Sequence, residues 1–332
     1  MKNPYLGHES QLYGVEEYRL TGGKGDGMRL LQVKNGKGME FTVSADRCAD
    51  ISRLCFRGVN MSYFSPCGYV APAYYDCVGD GFLKSFTAGF LTTCGLNEVG
   101  VPCEDGGEQL PLHGTIANTP AEHLYWEKDE REIRIHAEVA DERIFSHKLV
   151  LHRVIHCSLE ENSFSIRDRI VNEGDTEYPV MLLYHMNMGY PLLSEHTELY
   201  VPSKEVIPRN ERAAEGLDVW NKMQKPEAQF EEQCYFHRFE KNGLAAVYNP
   251  GIDQGLVIRF DAENLPFFTE WKMMGERDYV LGLEPGNCHP DGRAKMREQG
   301  KMTILQPGEE VRYEVQVSMI AGEAQWAGIK GE

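Results

Sequence analysis

Glu132-Ile133-Arg134-Ile135-His136-Ala137-Glu138-Val139 alternates polar and apolar residues without a break. That period of two marks a strand with one buried and one solvated face. The pattern returns in His147–Cys157 (HKLVLHRVIHC) and Ser163–Val171 (SFSIRDRIV). A turn, Asn172-Glu173-Gly174-Asp175, then leads into Tyr178–Tyr184 (YPVMLLY), whose mostly apolar run reads as a more deeply buried strand. Leu256–Phe260 and Val311–Met319 add two further strands, and Phe41-Thr42-Val43 a short one. Strands at this spacing, punctuated by Gly, Pro, Asn and Asp, predict an all-β fold of large antiparallel sheets packed as a sandwich. Only Asn210–Met223 hints at helix, and its apolar spacing is irregular. With no repeat and no low-complexity linker, residues 1–332 are expected to form a single domain.

Composition narrows the function classes. The net charge of −17 opposes binding to nucleic acid or to an anionic membrane, both of which need a basic footprint. The nine cysteines are scattered, with no C-x-x-C pair, which suits reduced thiols in a cytoplasm. Met1-Lys2-Asn3-Pro4-Tyr5 lacks a basic segment followed by an apolar core, so no leader peptide is expected. No run approaches the ~18 apolar residues of a membrane helix. Gly22–Gly27 is glycine-dense but lacks the Lys-Ser/Thr ending of a phosphate loop, and reads as a flexible turn.

Five stretches carry groups capable of chemistry. In Ser44–Ser52 (SADRCADIS), Arg47 stands between Asp46 and Asp50, either as an ion-pair hub or as a substrate binder. In Phe90–Asn97, Cys94 is a nucleophile or a buried thiol, and nothing adjacent lowers its pKa. In Leu110–Asn118, His113 precedes a glycine on a constrained loop. In Tyr184–Pro191, His185 ends an apolar strand and shares a face with Asn187, which makes it the strongest general-acid candidate. In Tyr279–Arg293, Glu284 closes the apolar run YVLGL, where desolvation raises a carboxyl pKa and makes a usable base. His113, His185 and Glu284, each at a strand-to-loop transition, form an acid/base pair with a helper. The same three N/O groups would also satisfy zinc, with His289 as a fourth ligand.

The motifs FLTTCGL (Phe90–Leu96), LHGTIAN (Leu112–Asn118), YHMNMGYPLL (Tyr184–Leu193), EWKMMGERDYVLGLEPGNCHPDGR (Glu270–Arg293) and GKMTILQPGEEVRYEVQV (Gly300–Val317) resemble the aldose 1-epimerase (galactose mutarotase-like) superfamily, in its divergent, uncharacterised branch. The resemblance implies a β-supersandwich with a sugar cleft across one sheet and interconversion of sugar anomers with no cofactor. It assigns His185 as acid, Glu284 as base and His113 as a sugar contact. Tyr184 stands where the family usually has Asn, and Met188-Gly189 replace an aromatic-Asn pair. Arg47, Asn187, Lys272 and Arg293 are expected to bind sugar hydroxyls or a carboxylate, and Trp271 to stack on a sugar face or join the core. The mechanism calls for an ionised carboxylate and an imidazolium on opposite sides of the sugar. The competing readings are a non-catalytic sugar-binding module and a metal-dependent sugar isomerase or lyase.

Overall fold

The computed structural model describes residues 4–331; Met1-Lys2-Asn3, where no leader is expected, and Glu332 lie outside them. Three large antiparallel sheets organise the chain. An N-terminal five-stranded meander runs in chain order from Tyr13–Arg19 to Val59–Asn60. An eight-stranded sheet contains Glu132–Glu142, Lys148–Ser158 and Ser163–Asn172 side by side, followed by Glu310–Ala321 and Gln254–Asp261. The alternating stretches quoted above are therefore its middle. A seven-stranded sheet carries Gln233–Arg238, Phe267–Met274, Tyr279–Gly286 and Tyr178–Met188 in that spatial order, with Leu91–Leu96 paired to the last.

The main core lies between the eight- and seven-stranded sheets and takes in the inner face of the five-stranded one, where Phe41 packs on Phe164. Ile133, Ile135, Leu149, Leu151, Ile166 and Val315 face one way into it. Leu182, Tyr184, Met186 and Met188 face it from the other side. The odd-numbered neighbours Met181 and Leu183 belong to a separate cluster with Cys94, Val99 and Cys288 on the far face. Tyr178–Met188 is thus buried on both faces and paired on both edges, which is why its sequence reads as nearly continuous apolar residues.

Two expectations are corrected here. His185 and Glu284 do not end their strands: the first strand runs on to Met188 and the second to Gly286. The expected helix at Asn210–Met223 shrinks to Glu211–Glu215, capped by the Asn210 side chain on Ala213 N, and one 3-10 turn at Leu217–Val219. An apolar stripe too irregular to bury one face cannot sustain a longer helix.

A buried ion network ties the layers together. The Arg153 guanidinium reaches Asp50 and Asp168, each at 2.7 Å, and Tyr184 Oη donates to Asp168 at 2.8 Å. Tyr184, the departure from the family's Asn, therefore points into the core and away from the far face. Gly189 is demanded by backbone proximity, since a β-carbon there would lie 2.5 Å from Tyr63 Cα.

Candidate functional site

Register places the reactive groups in one row. Asn187 pairs with Gly282 and Met186 with Leu283, so His185 stands across from Glu284. Glu284 pairs in turn with Thr269, Thr269 with Phe236, and His185 on its other edge with Thr92. These side chains share the face turned away from the core, because alternate residues of a strand share a face. His185 Nε2 and Glu284 Oε1 lie 3.2 Å apart. They are cross-strand neighbours, not groups on opposite sides of a ligand, which corrects the expected arrangement.

Above this row lies a cleft of about 240 Å³ lined by Phe82, Phe86, His113, Arg209, Glu232 and Trp271, among others. The aromatic wall is tight: Trp271 and Phe86 approach the His185 ring edge-on at 5.2 and 5.3 Å between centroids. His113 stands 5.7 Å from His185 by the same measure. Its backbone is left-handed, φ 59°, a strained conformation for a residue other than glycine. Gly114 follows because a β-carbon there would lie 2.2 Å from Gly95 O. Glu232 Oε2 accepts the Trp271 indole N–H at 2.6 Å, and Arg209 is anchored by Asp291 and the Pro290 carbonyl.

Burial sets the electrostatics. It pulls His185 down to about 4, against a smaller opposing contribution from Asn187. It pulls His113 down to about 3, helped by His185 and Arg209. Glu284 is pushed well above the usual carboxylate range, first by burial and then by Glu232, with Arg209 opposing. Burial therefore favours the neutral imidazole on His185 and the protonated carboxyl on Glu284. The pair still carries the one proton that an imidazolium and a carboxylate would share.

Several buried polar atoms here have no hydrogen-bond partner: His113 Nδ1, His185 Nδ1, Thr269 Oγ1 and Glu284 Oε1. Such atoms are costly to bury; others occur elsewhere in the chain, Glu270 Oε1 among them, but four of them line up here around one cleft. A larger hollow of about 570 Å³ lies on the solvent face of the eight-stranded sheet, around Arg259, Glu314 and Gln316. Among the described residues, none lining that hollow has a buried side-chain atom without a partner.

Of the residues singled out in the sequence, the structure brings together His113, His185, Glu284 and Trp271. It moves three expected substrate binders elsewhere. Arg47 is buried and donates to the carbonyls of Ala117, Val70 and Ser85, so it clamps loops around the cleft. Neither flanking acid holds it: Asp46 accepts from Arg29 N and Asp50 from Arg153. Lys272 lies on the opposite face of its strand and donates to the carbonyls of Val219, Trp220 and Lys222. Arg293 is spent on Asp105, Glu108 and Tyr178 Oη. Asn187 shares the face of His185 but is fully buried beside it, its Nδ2 donating to His185 O at 2.9 Å. Cys94 is a buried thiol pushed well above its ordinary value, which makes it a poor nucleophile. His289 packs against Phe236 and Phe267. Among the described residues no group of three or more His, Cys, Asp or Glu side chains is arranged to hold a metal ion.

Arg209, Glu232 and Thr269 were missed in the sequence. For Thr269 a signal existed: it shares parity with Trp271 in the strand Phe267–Met274, whereas Lys272 does not. Arg209 and Glu232 carry no such pattern.

The fold is galactose mutarotase-like, and several similar solved structures carry names of that kind. One is a "putative aldose 1-epimerase" from Klebsiella pneumoniae, 29% identical, covering 96% of this chain and 86% of that one with a TM-score of 0.89. Another is a galactose mutarotase-like protein from Clostridium acetobutylicum, 13% identical, covering 94% and 99% with a TM-score of 0.67. A galactose 1-epimerase from Lactobacillus acidophilus is 15% identical and covers 94% and 100% with a TM-score of 0.63. At these last two identities the likeness shows the fold alone. The chain itself belongs to the family described as a domain of unknown function, DUF4432, whose model matches residues 25–319. No curated protein matches it. Among the described residues no helix is long and apolar enough to cross a membrane.

Proposed function

We propose that this protein is an aldose 1-epimerase-like isomerase that interconverts the anomers of a small sugar by acid/base opening of the hemiacetal ring. The observation that carries this reading is the His185–Glu284 pair, 3.2 Å apart on the cleft floor, with unpartnered polar atoms converging around it. Mutarotation needs one proton removed from the anomeric hydroxyl and one delivered to the ring oxygen. Both oxygens are bonded to the same carbon, so adjacent acid and base groups can serve both. As the base takes the hydroxyl proton, the C1–O1 bond becomes a carbonyl and the C1–ring-oxygen bond breaks, its electron pair taking the acid's proton. Rotation about C1–C2 and the reverse transfers give the other anomer, and each group of the pair regains its starting protonation.

Because the pair holds one proton in total, Glu284 and His185 exchange roles between opening and closing. His113 and Thr269 offer polar atoms to sugar hydroxyls, and the Trp271 and Phe86 rings bound the cleft with apolar surface. The sugar is expected to be monosaccharide-sized, since the cleft is smaller than the ~300–1,000 Å³ of drug-sized pockets. The test is proton NMR of freshly dissolved aldoses, following the approach to anomeric equilibrium with and without enzyme. Acceleration on at least one aldose that is abolished in His185→Asn supports the reading. Tight sugar binding with no acceleration would make the protein a binding module.

A further inference from the structure

Gly282 lies two residues before Glu284 on the same face of the strand, between Asn187 and Trp271 in register. A β-carbon built on Gly282 falls 2.3 Å from Glu284 Oε1, 3.3 Å from its carboxyl carbon and 3.1 Å from Trp271 Cβ. No non-bonded carbon and oxygen approach that closely, so the Glu284 carboxyl occupies the space a side chain at 282 would fill. The backbone does not ask for glycine here, since Gly282 is absent from the positive-φ positions and sits inside a regular strand. Glycine in a strand interior is otherwise unfavourable and marks a close approach.

We propose that Gly282 is a positioning residue. Its missing side chain is the seat in which the Glu284 carboxyl lies back along its own strand, holding Oε1 beside His185 Nε2. This rests on the reading of Glu284 as an acid/base group. Alanine at 282 would drive the carboxyl aside by about 1 Å, a misplacement of the size that costs about 10²-fold in rate.

The test is a cycle between positions 282 and 284, read by anomer exchange and by thermal unfolding. Gly282→Ala is expected to lower kcat about 10²-fold with KM within a few-fold, and to lower the thermal midpoint through its clash with the Glu284 carboxyl. In a Glu284→Asp background the shorter carboxyl stops short of the seat, and adding Gly282→Ala should change neither kcat nor the thermal midpoint. Wild-type turnover in the single variant overturns the proposal. So does an equal loss, or a failure to fold, in both backgrounds, because the space would then serve Trp271. Full exchange by Glu284→Gln would overturn the acid/base reading itself, and is told apart because the 282–284 coupling in thermal midpoint survives it.

Discussion

The seven-stranded sheet holds a buried histidine–glutamate pair on each face, and only one faces a cleft. On the cleft side, His185 and Glu284 are 3.2 Å apart with His185 Nδ1 unpartnered. On the core side, His237 Nε2 meets Glu270 Oε2 at 3.1 Å, and His237 Nδ1 is held by Ser203 Oγ at 2.9 Å. Both glutamates are pushed upward by burial, but Glu270 is drawn back first by its hydrogen bond to His237. Trp220 closes over His237 at 4.9 Å. Burial and a short His–Glu distance are therefore not enough to make a site. What separates the two is access to the cleft and ring nitrogens left without partners.

The two pairs should differ most in stability. Removing His237 leaves Glu270 buried without its partner, so His237→Ala is expected to cost about 3 kcal/mol in urea unfolding. Exchange per folded molecule should stay near wild type. His185→Asn should do the opposite: unfolding shifts by no more than about 1 kcal/mol, while exchange slows at least ~10²-fold. If both variants lose stability alike, the cleft pair is structural as well.

The pH profile sharpens the contrast. Exchange requires one proton in the His185–Glu284 pair, and His185 is held down at about 4 by burial. Activity is thus expected to fall only below about pH 4 on the acid side, where His185 takes a second proton. On the alkaline side it falls as Glu284 loses its proton, at a pH raised by burial. An acid limb near the ordinary histidine value of ~6.5 would mean the ring is solvated.

The smallest effect is on the resting fold. A carboxyl with a raised folded pKa contributes stability below its unfolded value and loses it as pH rises through the folded one. Glu284→Gln, which never ionises, should therefore match wild type near pH 5 and exceed it by a few degrees in thermal midpoint near pH 9. A variant less stable than wild type at pH 9 would show that the ionised carboxylate has a partner.

The eight-stranded sheet was legible in the sequence because it has one wet face. Glu132–Val139, His147–Cys157 and Ser163–Val171 differ from the observed strands only at their ends. The site strands were harder, because Tyr178–Met188 is buried on both sides and hides its parity. From the sequence the strand therefore ends at His185, its first strongly polar side chain, three residues before Met188. Charge misleads most: Arg47, Lys272 and Arg293 invite a substrate-binding reading, and Arg47 an ion-pair hub as well. A buried cation needs acceptors wherever it lies, and backbone carbonyls or structural carboxylates supply them here. Arg209 is invisible because it directly follows the short strand Glu205–Pro208, whose pairing with Gln233–Arg238 sets it beside Cys234, and a four-residue strand leaves no pattern to read.

The most direct measurement sets the two glutamates side by side. Glu284→Gln and Glu270→Gln each replace a buried carboxyl with an amide of the same shape, and anomer exchange is followed by NMR on a sugar the wild type accelerates. Glu284→Gln is expected to slow exchange at least ~10²-fold while Glu270→Gln stays within a few-fold of wild type. Wild-type exchange in Glu284→Gln, or an equal loss in both variants, would contradict it.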